Sequence, residues 1–371
     1  MSPLRPPRRL GPTVLTVAAL LALGLPAGAA SAAPPTCFGV PANITGSGTI
    51  QGTAGSDVIV GSDDVDSIDG LGGNDLICGL GGDDTVAGGR GNDQVDGGAG
   101  NDTVRGDVIA LTGDATGGGN DRVFGGQGDD RLGGDSLAPG GTATGGGNDQ
   151  IFGGPGDDVA AGDSRGVSAS GGGADLLDGG EGDDDMNGDS AATGPDTVAA
   201  GAGDDVLRGG PGVDVLIGDS NAEGSTSGSG GDDVLDLGAD GGFFAIGDHN
   251  AAAGTSTGSG NDRIVGGSAN EILLGDSSVN TTPPASAGND ILEGRGGDDR
   301  ILGDNADFFI EFTVGAVGGR DVLRGGADAD RLLAGPSSDV LDGGAGTPDS
   351  CDGEAGTDVA TPSCETTTNV P

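Results

Sequence analysis

The sequence contains no tryptophan, no tyrosine and no lysine, and its single histidine is His249. Without lysine there is no Gly-rich phosphate-binding loop of the usual kind, and one histidine cannot form an H-E-x-x-H zinc site. Aromatics are scarce, and 59 acidic residues against 15 arginines give a formal charge of -44. Such a balance usually marks disorder. It argues against nucleic acid and anionic membranes as partners, because both select basic patches. Long apolar runs are also lacking. The one candidate, Val14 to Leu25, is too short for a spanning helix. It follows Arg5, Arg8 and Arg9 and precedes Ala30-Ser31-Ala32, so residues 1–33 read as a cleaved export signal. The mature chain is expected to be secreted, without membrane insertion.

Cysteine is limited to Cys37, Cys78, Cys351 and Cys364. An even count in an exported chain favours disulfides, and the positions suggest Cys37–Cys78 and Cys351–Cys364.

What the sequence has in abundance is glycine, 85 of 371 residues, and it is periodic. From Gly52 to Arg105 the chain divides without a gap into six nonapeptides with the consensus G-G-x-G-[ND]-D-x-U-x, U being aliphatic and Asp64 the one exception to glycine at the fourth position. Their sixth positions are Asp57, Asp66, Asp75, Asp84, Asp93 and Asp102. Their eighth positions are Ile59, Ile68, Ile77, Val86, Val95 and Val104. A fixed period of this length signals a solenoid. The stretch x-U-x is a short strand with one inward side chain, and the glycine-rich remainder is a turn. Two nonads make one coil, and stacked coils pair their strands in parallel. The expected fold is all-β, a parallel β-roll with a thin aliphatic interior.

After Arg105 the nonads continue in pairs, at Asp121 and Asp130, Asp149 and Asp158, Asp175 and Asp184. Further sixth positions are Asp196, Asp205, Asp214, Asp233, Asp262, Asp290 and Asp299, and plain nonads resume at Asp321, Asp330 and Asp339. Between pairs stands a Gly-Asp marker followed by an insert rich in Ser, Thr, Ala and Gly. The markers are Asp107, Asp135, Asp163, Asp189, Asp219, Asp248, Asp276 and Asp304, spaced by 28, 28, 26, 30, 29, 28 and 28 residues. One turn per coil is therefore lengthened, and the inserts are expected to project from one side. Segments such as Thr142-Ala143-Thr144 could extend a strand. The markers read equally as extra ligands or as caps of the turn. The insert with Phe308, Phe309, Ile310 and Phe312 is the apolar one; covering an open end or a seam is favoured over a partner contact. This organisation gives a signal at 1–33, caps at 34–51 and 347–371, six plain nonads at 52–105, extended repeats at 106–305, and an insert with further nonads at 306–346.

One buried aliphatic side chain per nonad does not offset the entropy of ordering nine residues, many of them glycine. Stacking also brings like charges together. A hard divalent cation addresses both problems. Calcium accepts six to eight oxygens from carboxylates and backbone carbonyls, whereas magnesium demands strict octahedral geometry. Binding energy then becomes folding energy. An isolated Asp would read as a solvated turn residue, but recurrence at one phase makes all the sixth-position aspartates above candidate calcium ligands.

The nonads resemble the RTX, or haemolysin-type, calcium-binding repeats. Gly88-Gly89-Arg90-Gly91-Asn92-Asp93-Gln94-Val95-Asp96 and Gly97-Gly98-Ala99-Gly100-Asn101-Asp102-Thr103-Val104-Arg105 match that motif at every defined position. The resemblance spans about Gly52 to Val359 and implies a right-handed parallel β-roll with calcium held between turns of adjacent coils, the sixth-position Asp and turn carbonyls supplying ligands. The chain departs from many members in its N-terminal signal and in having no room for a toxin, protease or lipase domain. Glu271 in place of Asp, and a register slip near Phe243, put the sites of those coils in doubt.

Gly162-Asp163-Ser164-Arg165-Gly166 and Gly254-Thr255-Ser256-Thr257-Gly258 spell the G-x-S-x-G nucleophile elbow, which needs a preceding strand, a following helix and a histidine partner. No helical pattern follows either, and His249 reads as a surface insert residue standing where other markers carry Ser. The favoured function is a secreted calcium-binding repeat protein, structural or adhesive, without catalysis of its own. The alternatives are an extracellular hydrolase or polysaccharide-modifying enzyme, or a module binding a cell surface or polysaccharide, with its site in the inserts.

Overall fold

In each nonad only one side chain in the x-U-x triplet turns inward, and that alternation sets the architecture. The computed structural model of the protein describes residues 33–194, 197–280 and 282–370. Among these there is no helix, and hence none long and apolar enough to cross a membrane. Alternate nonads feed two parallel sheets of fourteen strands each. The first runs from Ile44–Thr45 to Val359–Ala360 and the second from Thr49–Gln51 to Thr366–Thr368. Register is set by the repeat: Ile59 pairs with Ile77 and Ile77 with Val95, eighteen residues apart, whereas Val95 pairs with Val123 across the first insert.

The eighth positions form the interior. Ile59, Ile77, Val95 and Val123 from one sheet meet Ile68, Val86, Val104 and Leu132 from the other, all buried in one continuous cluster that ends at Cys351 and Cys364. Burial of branched aliphatics on a pleated face is what their β-propensity reflects. The two disulfides are Cys37–Cys78 and Cys351–Cys364, as the sequence suggests. The first ties an antiparallel pair, Thr36–Cys37 with Val40–Pro41, to the early coils beside Val60. The second closes the far end of the interior.

The inserts are more ordered than projecting loops. They stack into a third parallel sheet of ten strands. Its main ladder runs through Leu137, Arg165, Ala191, Asn221, Asn250, Ser278 and Ala306, one residue per coil. Thr142-Ala143-Thr144 does extend a strand, Leu137–Thr144. The physical reason is repetition: inserts of nearly equal length begin at the same point of every coil, so their backbone groups face partners one coil away and pair. Small side chains such as Ala115, Ala138 and Ala143 pack beneath them.

The third sheet lies over the outer side of the second, so ninth-position residues that would face solvent are buried. Ile217, Ile246, Leu274, Leu302 and Leu333 form a second apolar cluster with Ala306 and Ile310. Ile310 thus covers a seam, while Phe309 and Phe312 stay exposed.

Candidate metal centre

Two properties of the turn place the acidic side chains. The second and fourth positions bend the chain with positive φ, 105° at Gly89 and 145° at Gly91, which side chains resist. The first position is glycine for space. A Cβ on Gly97 would stand 2.5 Å from Asp102 Oδ2 and 2.7 Å from the carbonyl oxygen of Gly125 in the next coil. A carboxylate oxygen and a turn carbonyl therefore converge beside each such glycine.

The sixth-position aspartates form two buried columns. Asp57, Asp75, Asp93, Asp121, Asp149, Asp175, Asp205, Asp233, Asp262, Asp290, Asp321 and Asp339 border the first sheet. Asp66, Asp84, Asp102, Asp130, Asp158, Asp184, Asp214, Asp299 and Asp330 border the second. Asp196 lies outside the described residues. Within a column the backbone N–H of one aspartate donates to Oδ1 of the aspartate one coil on, as from Asp75 to Asp93 (2.7 Å) and from Asp102 to Asp130 (2.7 Å). The other oxygen is different. From Asp75 and Asp84 onward, Oδ2 of every predicted aspartate described is buried without a hydrogen-bond partner. Asp57 and Asp66 are exceptions, their Oδ2 atoms being capped by the N–H and hydroxyl of Thr53 and Ser62.

Buried carboxylates resist ionisation, and one N–H donor at Oδ1 offsets this only in part. Burial pushes Asp93 up to about 7, opposed by the Asp75 N–H. It pushes Asp121 up to about 9, with help from the charges of Asp149, Asp107 and Asp93. Files of orphaned oxygens beside converging carbonyls are what a hard, oxygen-seeking cation requires.

A family model for the RTX calcium-binding nonapeptide repeat matches residues 44–77, 79–108, 115–136, 143–164, 169–193, 190–222, 256–281, 285–307 and 316–347. The chain belongs to that family. No curated protein matches the chain as a relative. The RTX turns account for the two columns, and the inserts modify one of them. Each marker Gly-Asp supplies the first two positions of an RTX nonad whose remaining positions follow the insert. Gly106 is an example: a Cβ there would collide with Asp121 Oδ2 and the Gly134 carbonyl, as at any first position. The marker aspartate thus replaces the second glycine and adds a carboxylate to the first column.

The markers then divide. In the N-terminal half they join triads that bring one oxygen each within 4.8 Å of one another: Asp107 with Asp121 and Asp135, Asp135 with Asp149 and Asp163, Asp163 with Asp175 and Asp189, Asp189 with Asp205 and Asp219. Asp107, Asp135, Asp163 and Asp189 have both oxygens buried and unpartnered. In the C-terminal half Asp248, Asp276 and Asp304 cap the turn instead, each accepting through Oδ1 from a backbone N–H at 2.7 Å, those of Gly260, Gly288 and Gly319.

The two irregular coils are explained by the ladder, and two further carboxylates join the columns. Glu271 keeps the column: its N–H donates to Asp299 Oδ1 (2.9 Å), and its Oε2 is buried and unpartnered. Phe243 stands at a sixth position between Asp214 and Glu271, because Phe244 pairs with Val215 and Ile272. The slip therefore removes one carboxylate and leaves the ladder in register. Asp349 and Asp358 extend the two columns, each accepting from an aspartate N–H at 3.0 Å. The signal for them was the coil spacing, lengthened there to nineteen residues. Both columns are closed at the start, Asn43 donating to Asp57 Oδ1 (2.9 Å) and the Gly48 N–H to Asp66 Oδ1. The second is closed at the far end, where Glu365 Oε2 accepts from the Asp349 N–H (2.8 Å).

His249 does stand where other markers carry serine, but it is buried, not at the surface. Its Nδ1 accepts from the Ser220 N–H at 3.2 Å and lies 3.6 Å from Asp219 Oδ2. Burial lowers its pKa, against the pull of Asp219. Neither G-x-S-x-G serine is built as a nucleophile elbow. Ser164 follows marker Asp163 inside the roll, and Ser256 Oγ is engaged with Thr226 and Ser277.

Proposed function

We propose that this is a secreted repeat protein that folds around many calcium ions and serves a structural or adhesive role without catalysis of its own. The observation that carries the reading is the file of buried, unpartnered Oδ2 atoms, most of them beside a turn carbonyl of the next coil. In this reading the sixth-position aspartates from Asp75 and Asp84 onward hold calcium between adjacent turns. Glu271, Asp349 and Asp358 extend the files, and markers Asp107 to Asp219 contribute in the N-terminal half. Calcium would supply the positive charge that lets neighbouring carboxylates ionise together in a desolvated turn. The protein's own part is to orient each carboxylate, by anchoring Oδ1 to the preceding coil, and to exclude water with glycine turns. Two disulfides support an oxidising, extracellular destination.

The test is a calcium titration followed by circular dichroism and size. The expected result is a cooperative gain of β-structure and compaction, reversed by chelator. A chain equally folded in chelator and in calcium would refute it. Sequencing the N-terminus of the exported protein checks secretion; cleavage after residue 32 or 33 is expected.

A further inference from the structure

Where the third sheet covers the second, the ninth-position residues line a groove; Asn187 is polar, and one residue, Arg105, brings a cation. Ala87, Gly133 and Ala161 are small, and Ile217 and Ile246 are aliphatic, but Arg105 pairs between Ala87 and Gly133 in the same ladder. Arg105 is 1 % exposed, and its Nε and Nη1 are buried with no hydrogen-bond partner. Its guanidinium lies over Gly133, where a Cβ would collide with Nη1. Arg131, from the neighbouring strand of the second sheet, and Arg165, from the third, line the same cavity, which measures about 360 Å³. Ile109, Leu111, Leu137 and Pro139 provide an apolar wall.

Three of the chain's 15 basic residues thus share one cavity in a protein of charge -44. Among the described residues no carboxylate pairs with Arg105 Nε or Nη1. Its pKa is brought down to about 9 by burial and then by the charges of Arg165 and Arg131. Asp185 acts on Arg165 instead. Buried charges are normally paired, because an unpaired one loses its hydration without compensation. A guanidinium fork is suited to a planar carboxylate, which it binds through two parallel hydrogen bonds.

We propose that this cavity binds an organic carboxylate, its head held by Arg105 and Arg165 and its apolar body lying against Ile109, Leu111, Leu137 and Pro139. The site is separate from the acidic columns, so it stands on its own geometry. Isothermal titration of the folded chain in calcium with octanoate, octan-1-ol and inorganic sulfate tests it. Octanoate is expected to bind one to one, at least about tenfold tighter than octan-1-ol, and Arg105→Met to weaken it about tenfold or more. Should Arg105→Met fail to fold by circular dichroism, Arg165→Gln, at a half-buried position, decides with the same expected direction. Octanoate no tighter than octan-1-ol, sulfate binding as tightly as octanoate, or affinity unchanged in the folded variants would overturn the proposal.

Discussion

Coils carrying markers Asp107 to Asp219 and coils carrying Asp248 to Asp304 share the same three ladders but fill them differently. In the N-terminal group the marker carboxylates face one another in triads, and the groove under the third sheet holds Arg105, Arg131 and Arg165. In the C-terminal group the markers cap turns through Gly260, Gly288 and Gly319, and the groove is packed by Ile246, Leu274, Leu302 and Ile310. In the C-terminal group the marker Oδ1 atoms thus find backbone donors and the groove is apolar, while Oδ2 of Asp248, Asp304 and the sixth-position aspartates stays unpartnered as in the rest of the columns. The N-terminal group leaves in addition both oxygens of its markers, and Nε and Nη1 of Arg105, without hydrogen-bond partners among the described residues. The same repeat therefore carries more or fewer unpartnered groups according to what occupies two positions per coil.

Removing calcium should separate the halves most. Hydrogen exchange during a chelator titration is expected to show the N-terminal insert coils losing protection first, by on the order of 100-fold, while the C-terminal coils hold longer on their second apolar cluster. Simultaneous loss would erase the distinction. A pH effect of the next size is expected in chelator. Asp121 and Asp135 have folded values near 9, raised first by burial, against an unfolded value of about 4. The folded form therefore takes up more protons than the unfolded. Its stability is greatest below pH ~4 and falls as pH rises toward ~9. Residual β-structure in chelator should be larger at pH 5 than at pH 8; equal signals would mean that these carboxylates are solvated without metal.

Leu274→Ala, in the second cluster, is expected to lower stability in calcium by about 2–5 kcal/mol, read from the urea midpoint. A loss below half a unit would mean that the seam is loosely packed. Asp163→Asn should raise the calcium midpoint of folding about tenfold, since both its oxygens are unpartnered and it belongs to two triads. Asp276→Asn tests the contrast. Its oxygens already accept from Gly288 and Asn305, so a shift below about twofold is expected. Equal shifts in the two variants would contradict the division of the markers.

The two columns, the interior and both disulfides were legible in the sequence because the signal recurs at fixed phase: Asp57 to Asp102 and Ile59 to Val104 each occupy one repeated backbone environment. The marker aspartates were visible as a series, but their split depends on whether a glycine N–H reaches Oδ1, which composition does not encode. Glu271 is visible as a replacement for Asp but its place in the column is not, and Asp349 is hidden by its longer spacing, although the ladder absorbs both. The third sheet was obscured by unremarkable Ser, Ala and Gly residues that matter only through their equal lengths. Arg105 was hidden for a related reason. A ninth-position residue reads as solvent-facing until the covering sheet is known.

The rungs linking each aspartate N–H to the next carboxylate run in one direction, and this has a bearing on self-association. A parallel solenoid exposes a templating face at each end, the usual starting point for end-to-end fibres. Here Asn43 and Gly48 occupy the first rungs, and Glu365 occupies a last one. A second molecule approaching along the axis meets filled valences at these positions. The same polarity that propagates the roll thus leaves these end positions already filled by the chain itself.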